Sequence, residues 1–132
     1  MNTTELIEAY YAHFNRGDWD AMLESLTDDV AHDVNESQRE IGKAAFKAFF
    51  ERMNRSYAEN ISDVSVTVNA AGSKSAAEYV VSGTYQQTDA GLPEARGQRY
   101  KIAGGAFFEV QQGKISRVTN YYNLQAWLQQ IT

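Results

Sequence analysis

His32 is the residue best suited to acid–base chemistry, because an unperturbed imidazole titrates near neutral pH. It lies in the strand-like stretch Val30–Asn35, beside the carboxylate of Asp33. Strand alternation places Val30, His32 and Val34 on one face and Asp33 on the other. We therefore expect His32 to transfer protons and Asp33 to assist where the strand twists or bulges. The alternative is a histidine that only satisfies a backbone carbonyl.

Further candidates for a binding site lie on the strand-like stretches that follow. Asn120 and Tyr122 share one face of the last stretch, and polar groups in an apolar cavity are costly unless a ligand or neighbour satisfies them. Glu78 is flanked by apolar residues and is expected either in a pocket or at an exposed edge. Phe50 and Phe107 are expected to be core residues that also line the pocket.

Composition excludes several classes of function. Cysteine is absent, and 12 Lys and Arg against 17 Asp and Glu give a net charge of −5 without a basic run, which speaks against nucleic acid or an anionic membrane as partner. His13 and His32 are not at metal-ligand spacing, and no glycine-rich phosphate loop is present, so we expect neither metal nor cofactor. No signal peptide or membrane-spanning stretch is evident, which predicts a soluble, cytoplasmic protein.

Three amphipathic helices are predicted in the first half of the chain. A broad apolar face recurs at helical spacing over 4–15, and Gly17 suits the helix end. Asp18 begins a second helix that extends to about Leu26, and 27–29 is predicted to be a turn. The third helix is predicted over 43–57.

The second half changes to the period of two that is typical of strands. Val64, Val66 and Val68 alternate, and further strands are predicted over 76–87, 98–110 and 115–122, with a long loop over 88–97 and a short helix over 124–130. Helices followed by adjacent strands predict one α+β domain over 1–132. Its curved sheet, antiparallel or mixed, is expected to wrap around the N-terminal helices and leave a pocket at the open end.

The chain resembles the nuclear-transport-factor-like superfamily along nearly its whole length. The motifs that carry the resemblance are Asn15-x-Gly17-Asp18, His32-Asp33-x-Asn35, Gly91-Leu92-Pro93, Ala95-Arg96-Gly97 and Asn120-Tyr121-Tyr122-Asn123-Leu124. The sequence is most similar to the bacterial ketosteroid isomerase-related and polyketide cyclase-like proteins. The resemblance implies a cone-shaped, cystatin-like α+β roll with an internal pocket.

The resemblance also allows the isomerase residues to be checked one by one. The tyrosine that donates to the enolate corresponds to Tyr10, for which a packed tyrosine is the alternative. The aspartate base corresponds to Val34, which can only line the pocket, and the acidic donor corresponds to Gly105. Two of the three roles are absent, which argues against steroid isomerisation.

The sequence therefore predicts a pocket protein that binds a small, mainly apolar molecule. It is expected to act as a cofactor-independent isomerase, cyclase or hydratase through His32 and Tyr10, or else to be a non-catalytic ligand-binding or protein-association module. A homodimer is also expected, through an outer sheet face on which Tyr79, Val81 and Tyr85 alternate, opposite to Glu78.

Overall fold

The fold consists of four helices and six strands. The structure is a computed structural model that describes residues 1–132. The helices are α1 (Thr3–Arg16), α2 (Trp19–Glu24), α3 (Lys43–Ser56) and α4 (Leu124–Ile131), and none is long and apolar enough to cross a membrane. The strands are β1 (Leu26–Val34), β2 (Glu40–Ile41), β3 (Tyr57–Val68), β4 (Lys74–Tyr85), β5 (Gln98–Gln111) and β6 (Lys114–Tyr122).

The six strands form one mixed sheet in the order β2-β1-β6-β5-β4-β3. The β1–β6 pair is parallel, whereas the other neighbours are antiparallel. The curved sheet packs its inner face against the N-terminal helices, so the predicted α+β cone is confirmed. The long loop predicted between β4 and β5 is also present, over residues 86–97.

Helix α1 supplies much of the core because its ends and its apolar face are well defined. Asn2 and Glu5 form a capping box, in which each side chain accepts a hydrogen bond from the other residue's backbone N–H at 2.8 and 3.0 Å. Gly17 ends the helix at φ 68°, a left-handed conformation in which glycine lacks the Cβ penalty. The buried face of α1, Leu6, Ile7, Tyr10 and Tyr11, packs against the sheet.

Two predicted boundaries are wrong. Residues 27–29 are not a turn but part of β1, because Leu26 and Val30 are both fully buried and Leu26 pairs with Ile115 of β6. A change of register within β1 accommodates the polar residues between them. Helix α3 ends at Ser56, and β3 begins immediately at Tyr57, well before the alternating valines that start at Val64.

The assignment of the two faces of β4 is also wrong. Tyr79 and Tyr85 are buried, and Val81 packs against them, so this row lies on the inner face of the sheet. Glu78 lies on the outer face and is exposed. The row proposed as a dimer surface therefore belongs to the core, while the homodimer itself stays a prediction.

Candidate functional site

A partly open cavity of about 340 Å³ lies between the helices and the inner face of the sheet. Its size falls within the usual range for small-molecule sites. Of the 23 residues that line it, 18 are hydrophobic, so the cavity suits a mainly apolar molecule. Polar groups occur only at a few positions on this wall.

Six of the predicted site residues line this cavity: Tyr10, His32, Val34, Phe50, Asn120 and Tyr122. They come from α1, β1, α3 and β6, so the fold brings together residues that are far apart in sequence. The structure places these six residues around one cavity, whereas their chemical roles stay predictions.

Three other predicted site residues lie outside the cavity. Asp33 is on the opposite face of β1, where Arg39 binds both of its oxygens at 2.8 and 2.9 Å and Thr119 donates to it at 2.6 Å. The hydrogen bonds from Arg39 hold the pKa of Asp33 below its usual range. Glu78 and Phe107 lie on the outer face of the sheet, Phe107 with 46% of its surface exposed. Alternation along each strand turns these three side chains away from the ligand space.

His32 is buried against the aromatic side chains of α3. Its ring centroid lies 4.5 Å from that of Phe46 and 4.7 Å from that of Phe49, and only 3% of the residue is exposed. Burial lowers the pKa of His32 to about 4, although the nearby charge of Asp33 opposes this shift. At neutral pH the imidazole is therefore uncharged and is a weak base.

Tyr10 is a neutral hydrogen-bond donor in this setting. Burial, with a contribution from Tyr79, raises the pKa of its hydroxyl well above the usual range. Val34 lines the cavity, whereas Gly105 lies on the outer face of β5. The inward neighbours of Gly105 are Gly104 and Ala106, which have no side chain able to donate to an enolate.

Glu59 is a cavity residue that the sequence reasoning missed. It pairs with Gly83 on β4, and Gly83 pairs with Tyr100 on β5, so the three residues form one row across the sheet. The Tyr100 ring lies directly over Gly83, where an added Cβ would be only 2.3 Å from the ring carbon Cζ. Because Gly83 has no side chain, the Tyr100 hydroxyl reaches across β4 and donates to Glu59 Oε2 at 2.5 Å.

The surroundings of Glu59 change its acidity. Glu59 is exposed and lines the cavity, and the protein around it raises its pKa through desolvation, while the hydrogen bond from Tyr100 opposes this effect. The carboxylate also lies close enough to contribute to the raised pKa values of Tyr79 and Tyr122, for which burial is the larger cause. The site therefore holds a carboxyl group that binds protons more readily than one in water.

A β-bulge explains why sequence alternation hides Glu59. The inward residues of β3 are Tyr57, Glu59 and Ile61 before the bulge and the valines from Val64 onward after it. The register shifts between Ser62 and Ser65, and Asp63 adopts a φ of 53°. The sequence does carry a signal for this bulge. The apolar residues change from an odd position at Ile61 to even positions from Val64 onward, with the two polar residues Ser62 and Asp63 between them.

A second glycine allows another tyrosine to cross the sheet. Tyr79 of β4 pairs with Gly104 of β5, and a Cβ at Gly104 would be 2.7 Å from the Tyr79 ring. The Tyr79 hydroxyl donates to Asn120 Oδ1 on β6 at 3.2 Å. This bond fixes the Asn120 amide with its nitrogen available to a ligand.

The 86–97 loop brings a second carboxylate to the cavity. Tyr57 donates to Asp89 Oδ2 at 2.8 Å. Tyr85 holds the loop at two points, since its hydroxyl donates to the Pro93 carbonyl at 2.6 Å and accepts from the Asp89 N–H at 2.9 Å. Asp89 and Leu92 both line the cavity, so the loop forms part of its wall. No three His, Asp or Glu side chains cluster in a way that could hold a metal ion.

Comparisons with known proteins agree on a family. Residues 7–118 match the SnoaL-like domain. The structure of a proposed polyketide cyclase from Xanthomonas campestris pv. campestris is 58% identical, with a TM-score of 0.96 over 98% of this chain and 96% of that one. Another, from Pseudomonas putida KT2440, is 53% identical, with a TM-score of 0.98 over 100% of this chain and 99% of that one. No functionally curated protein matches the sequence.

More distant structures share the fold alone. An LEH-like epoxide hydrolase of M. tuberculosis is 15% identical, with a TM-score of 0.78 over 98% of this chain and 88% of that one. Enzymes with different chemistry can share one fold, so this likeness says nothing of the reaction.

Proposed function

The chain belongs to the SnoaL-like family within the nuclear-transport-factor-like superfamily, and from that premise we propose that it moves a proton on a small, mainly apolar molecule without a cofactor. The observation that carries the proposal is the Glu59 carboxylate, held by Tyr100 inside an aromatic cavity. We assign proton abstraction to Glu59 rather than to His32, because the pKa of Glu59 is raised and that of His32 is lowered to about 4.

Proton removal next to a carbonyl is the step that fits these residues. The Glu59 carboxylate would take a proton from the carbon, the electron pair would move onto the carbonyl oxygen, and a neutral donor would stabilise the resulting enolate. The Asn120 amide nitrogen and the Tyr122 hydroxyl are neutral donors on the cavity wall. Return of the proton to a different atom gives isomerisation, whereas attack on a second carbonyl gives cyclisation.

The relatives support the same class of step. Two structures at 58% and 53% identity are described as proposed polyketide cyclases. Closing a ring by an aldol reaction begins with such an enolate. Steroid isomerisation is still argued against, because Val34 and Gly105 stand where an isomerase has acidic residues. Other residues would have to supply both acidic groups.

Hydrogen–deuterium exchange at carbon tests the proposal without knowledge of the natural substrate. A panel of small cyclic and aryl ketones is incubated with the protein in D₂O, and loss of the signal of the hydrogens next to the carbonyl is followed by NMR. Glu59→Gln should slow any catalysed exchange roughly 100-fold or more. Glu78→Gln is the matched control, because Glu78 lies on the outer face of the neighbouring strand and should leave the rate unchanged.

Three outcomes would contradict the proposal. If His32→Gln stopped the exchange and Glu59→Gln did not, the base would be His32, as first predicted from the sequence. If ketones of the panel bound but none exchanged the hydrogens next to its carbonyl, the protein would be a non-catalytic binding module. Failure of every ketone to bind would remove the small-molecule function itself.

A further inference from the structure

The end of the cavity near α4 has the composition of a cation site. Four rings meet there, those of Tyr57, Tyr100, Tyr122 and Trp127. The centroid of Trp127 lies 5.7 Å from Tyr57, 5.9 Å from Tyr100 and 6.5 Å from Tyr122, and that of Tyr57 lies 6.4 Å from Tyr100. Their planes are inclined by 63–84°, so the rings pack edge to face, and all four also line the cavity. We call these four residues the aromatic box.

Two carboxylates accompany the aromatic box. Tyr100 engages Oε2 of Glu59 and Tyr57 engages Oδ2 of Asp89, which leaves Oε1 and Oδ1 without a protein partner. Both acidic residues line the same cavity as the rings. The two tyrosines therefore aim the carboxylates and leave one oxygen of each for a ligand.

No positive charge from the protein balances these groups. The cavity is lined by neither lysine nor arginine, and its one histidine, His32, has a pKa of about 4 and is neutral at pH 7. Glu59 is exposed and Asp89 is half-buried, and carboxylates that are partly withdrawn from water are normally paired with a cation or with several donors. Here each receives one phenolic hydrogen bond, so the cavity keeps a negative potential that an anionic ligand would find unfavourable.

We propose that the cavity selects a ligand with an organic ammonium group, which the aromatic box and the Asp89 carboxylate hold at the end near α4, while the charge of Glu59 adds to the attraction and its free oxygen stays available to the carbon-bound proton. Aromatic faces attract ammonium groups through the ring quadrupole, most strongly where water is excluded, and the two carboxylates add direct attraction. The apolar remainder of the ligand occupies the part lined by Phe49, Phe50 and Tyr10. The inference rests on the proposed function, since it names the ligand class of the same cavity.

Charge selectivity is tested with three probes of one shape: phenylpropylammonium, phenylpropanol and phenylpropanoate. Their affinities for the protein are measured by calorimetry at a pH of about 7.5. The ammonium probe should bind about tenfold more tightly than the alcohol, and the carboxylate probe should bind most weakly.

Variants locate the charge that selects the probe. Glu59→Gln and Asp89→Asn should each reduce the preference for the ammonium probe several-fold and leave affinity for the alcohol nearly unchanged. Both changes replace a carboxylate with an amide that can still accept the tyrosine hydrogen bond. Glu78→Gln, on the outer face, should keep the preference of the unmodified protein.

The outcomes separate this inference from the proposed function. If the alcohol or the carboxylate probe bound as tightly as the ammonium probe, the cation site would be refuted while the small-molecule cavity stood. If the preference survived in both Glu59→Gln and Asp89→Asn, these carboxylates would not be its source, and the assignment would also be overturned. If no probe bound, the ammonium site and the small-molecule function would both fail.

Discussion

The uncharged state of His32 should make the protein sensitive to mild acid. Its pKa is lowered from 6.5 to about 4, because burial against the rings of α3 disfavours the imidazolium ion. Each pKa unit corresponds to about 1.4 kcal/mol, so protonating His32 in the folded state costs about 3 kcal/mol more than in the unfolded chain. As the pH falls, His32 takes up its proton in the unfolded state before it does so in the folded state. Its contribution to the free energy of unfolding is therefore complete above pH 6.5 and is lost as the pH falls toward 4.

The expected size of the effect follows from these two pKa values. Linkage predicts that His32 removes about 1.3 kcal/mol of the free energy of unfolding between about pH 7.5 and about pH 5.5, and about 2.5 kcal/mol by about pH 4.5. With a urea dependence of about 1–3 kcal/mol per molar, the first step lowers the unfolding midpoint by about 0.4–1.3 M. This shift is measurable by circular dichroism.

His32→Gln isolates this contribution, because glutamine places a neutral amide at a similar reach and has no titration in this range. The free energy of unfolding of the unmodified protein, relative to that of the variant, should fall as the pH is lowered from about 7.5 to about 5.5. The expected fall is the amount that His32 contributes. Glu59 titrates with the opposite sign, since its raised pKa adds stability on the acid side, but it is present in both proteins and cancels in the difference.

His13→Gln is the matched control at the other histidine, which lies on α1 with its side chain against Arg16. The reasoning would be refuted if His32→Gln kept the same loss of stability between the two pH values as the unmodified protein. A loss that disappeared in His13→Gln instead would mean that His32 is not the group responsible.

Three further predictions concern the site and the assembly. Gly83→Ala should reduce the free energy of unfolding by about 1–3 kcal/mol in urea titrations, because the added Cβ would lie 2.3 Å from the Tyr100 ring. Gly105→Ala is the control on the outer face. Its Cβ would make only an ordinary contact at 3.5 Å, so the free energy of unfolding should change little. Tyr100→Phe should raise the pKa of Glu59 in a carboxyl NMR titration, since the lost hydrogen bond favours the ionised form; an unchanged pKa would show that the bond is not formed in solution. The predicted homodimer should sediment at twice the 14.8 kDa of one chain, and a species of 14.8 kDa alone would remove that prediction.

Local patterns predicted the elements of this fold well. The helical stripe of α1, the left-handed Gly17 and the period of two in the second half each depend on neighbours within a few residues, so they are readable without the tertiary structure. The resemblance in sequence motifs then predicted the cone and its cavity. Tyr10, His32 and Asn120 were found in this way, because each lies on an element whose inward face was assigned correctly.

The misses occurred where local pattern leaves a choice between two faces. Alternation groups Tyr79 with Val81 and sets both opposite Glu78, but it does not say which group meets the helices. The bulge at Asp63 reverses the alternation within β3 and turns Glu59 inward.

The sequence by itself determined the elements, the family resemblance and a cavity for a small apolar molecule. Only the tertiary structure decided which acidic residue enters that cavity. The reason is that the environment of Glu59 depends on two other strands, where Gly83 leaves room for the Tyr100 ring to cross and donate to it. Such a contact joins residues 41 positions apart, and no local periodicity encodes it.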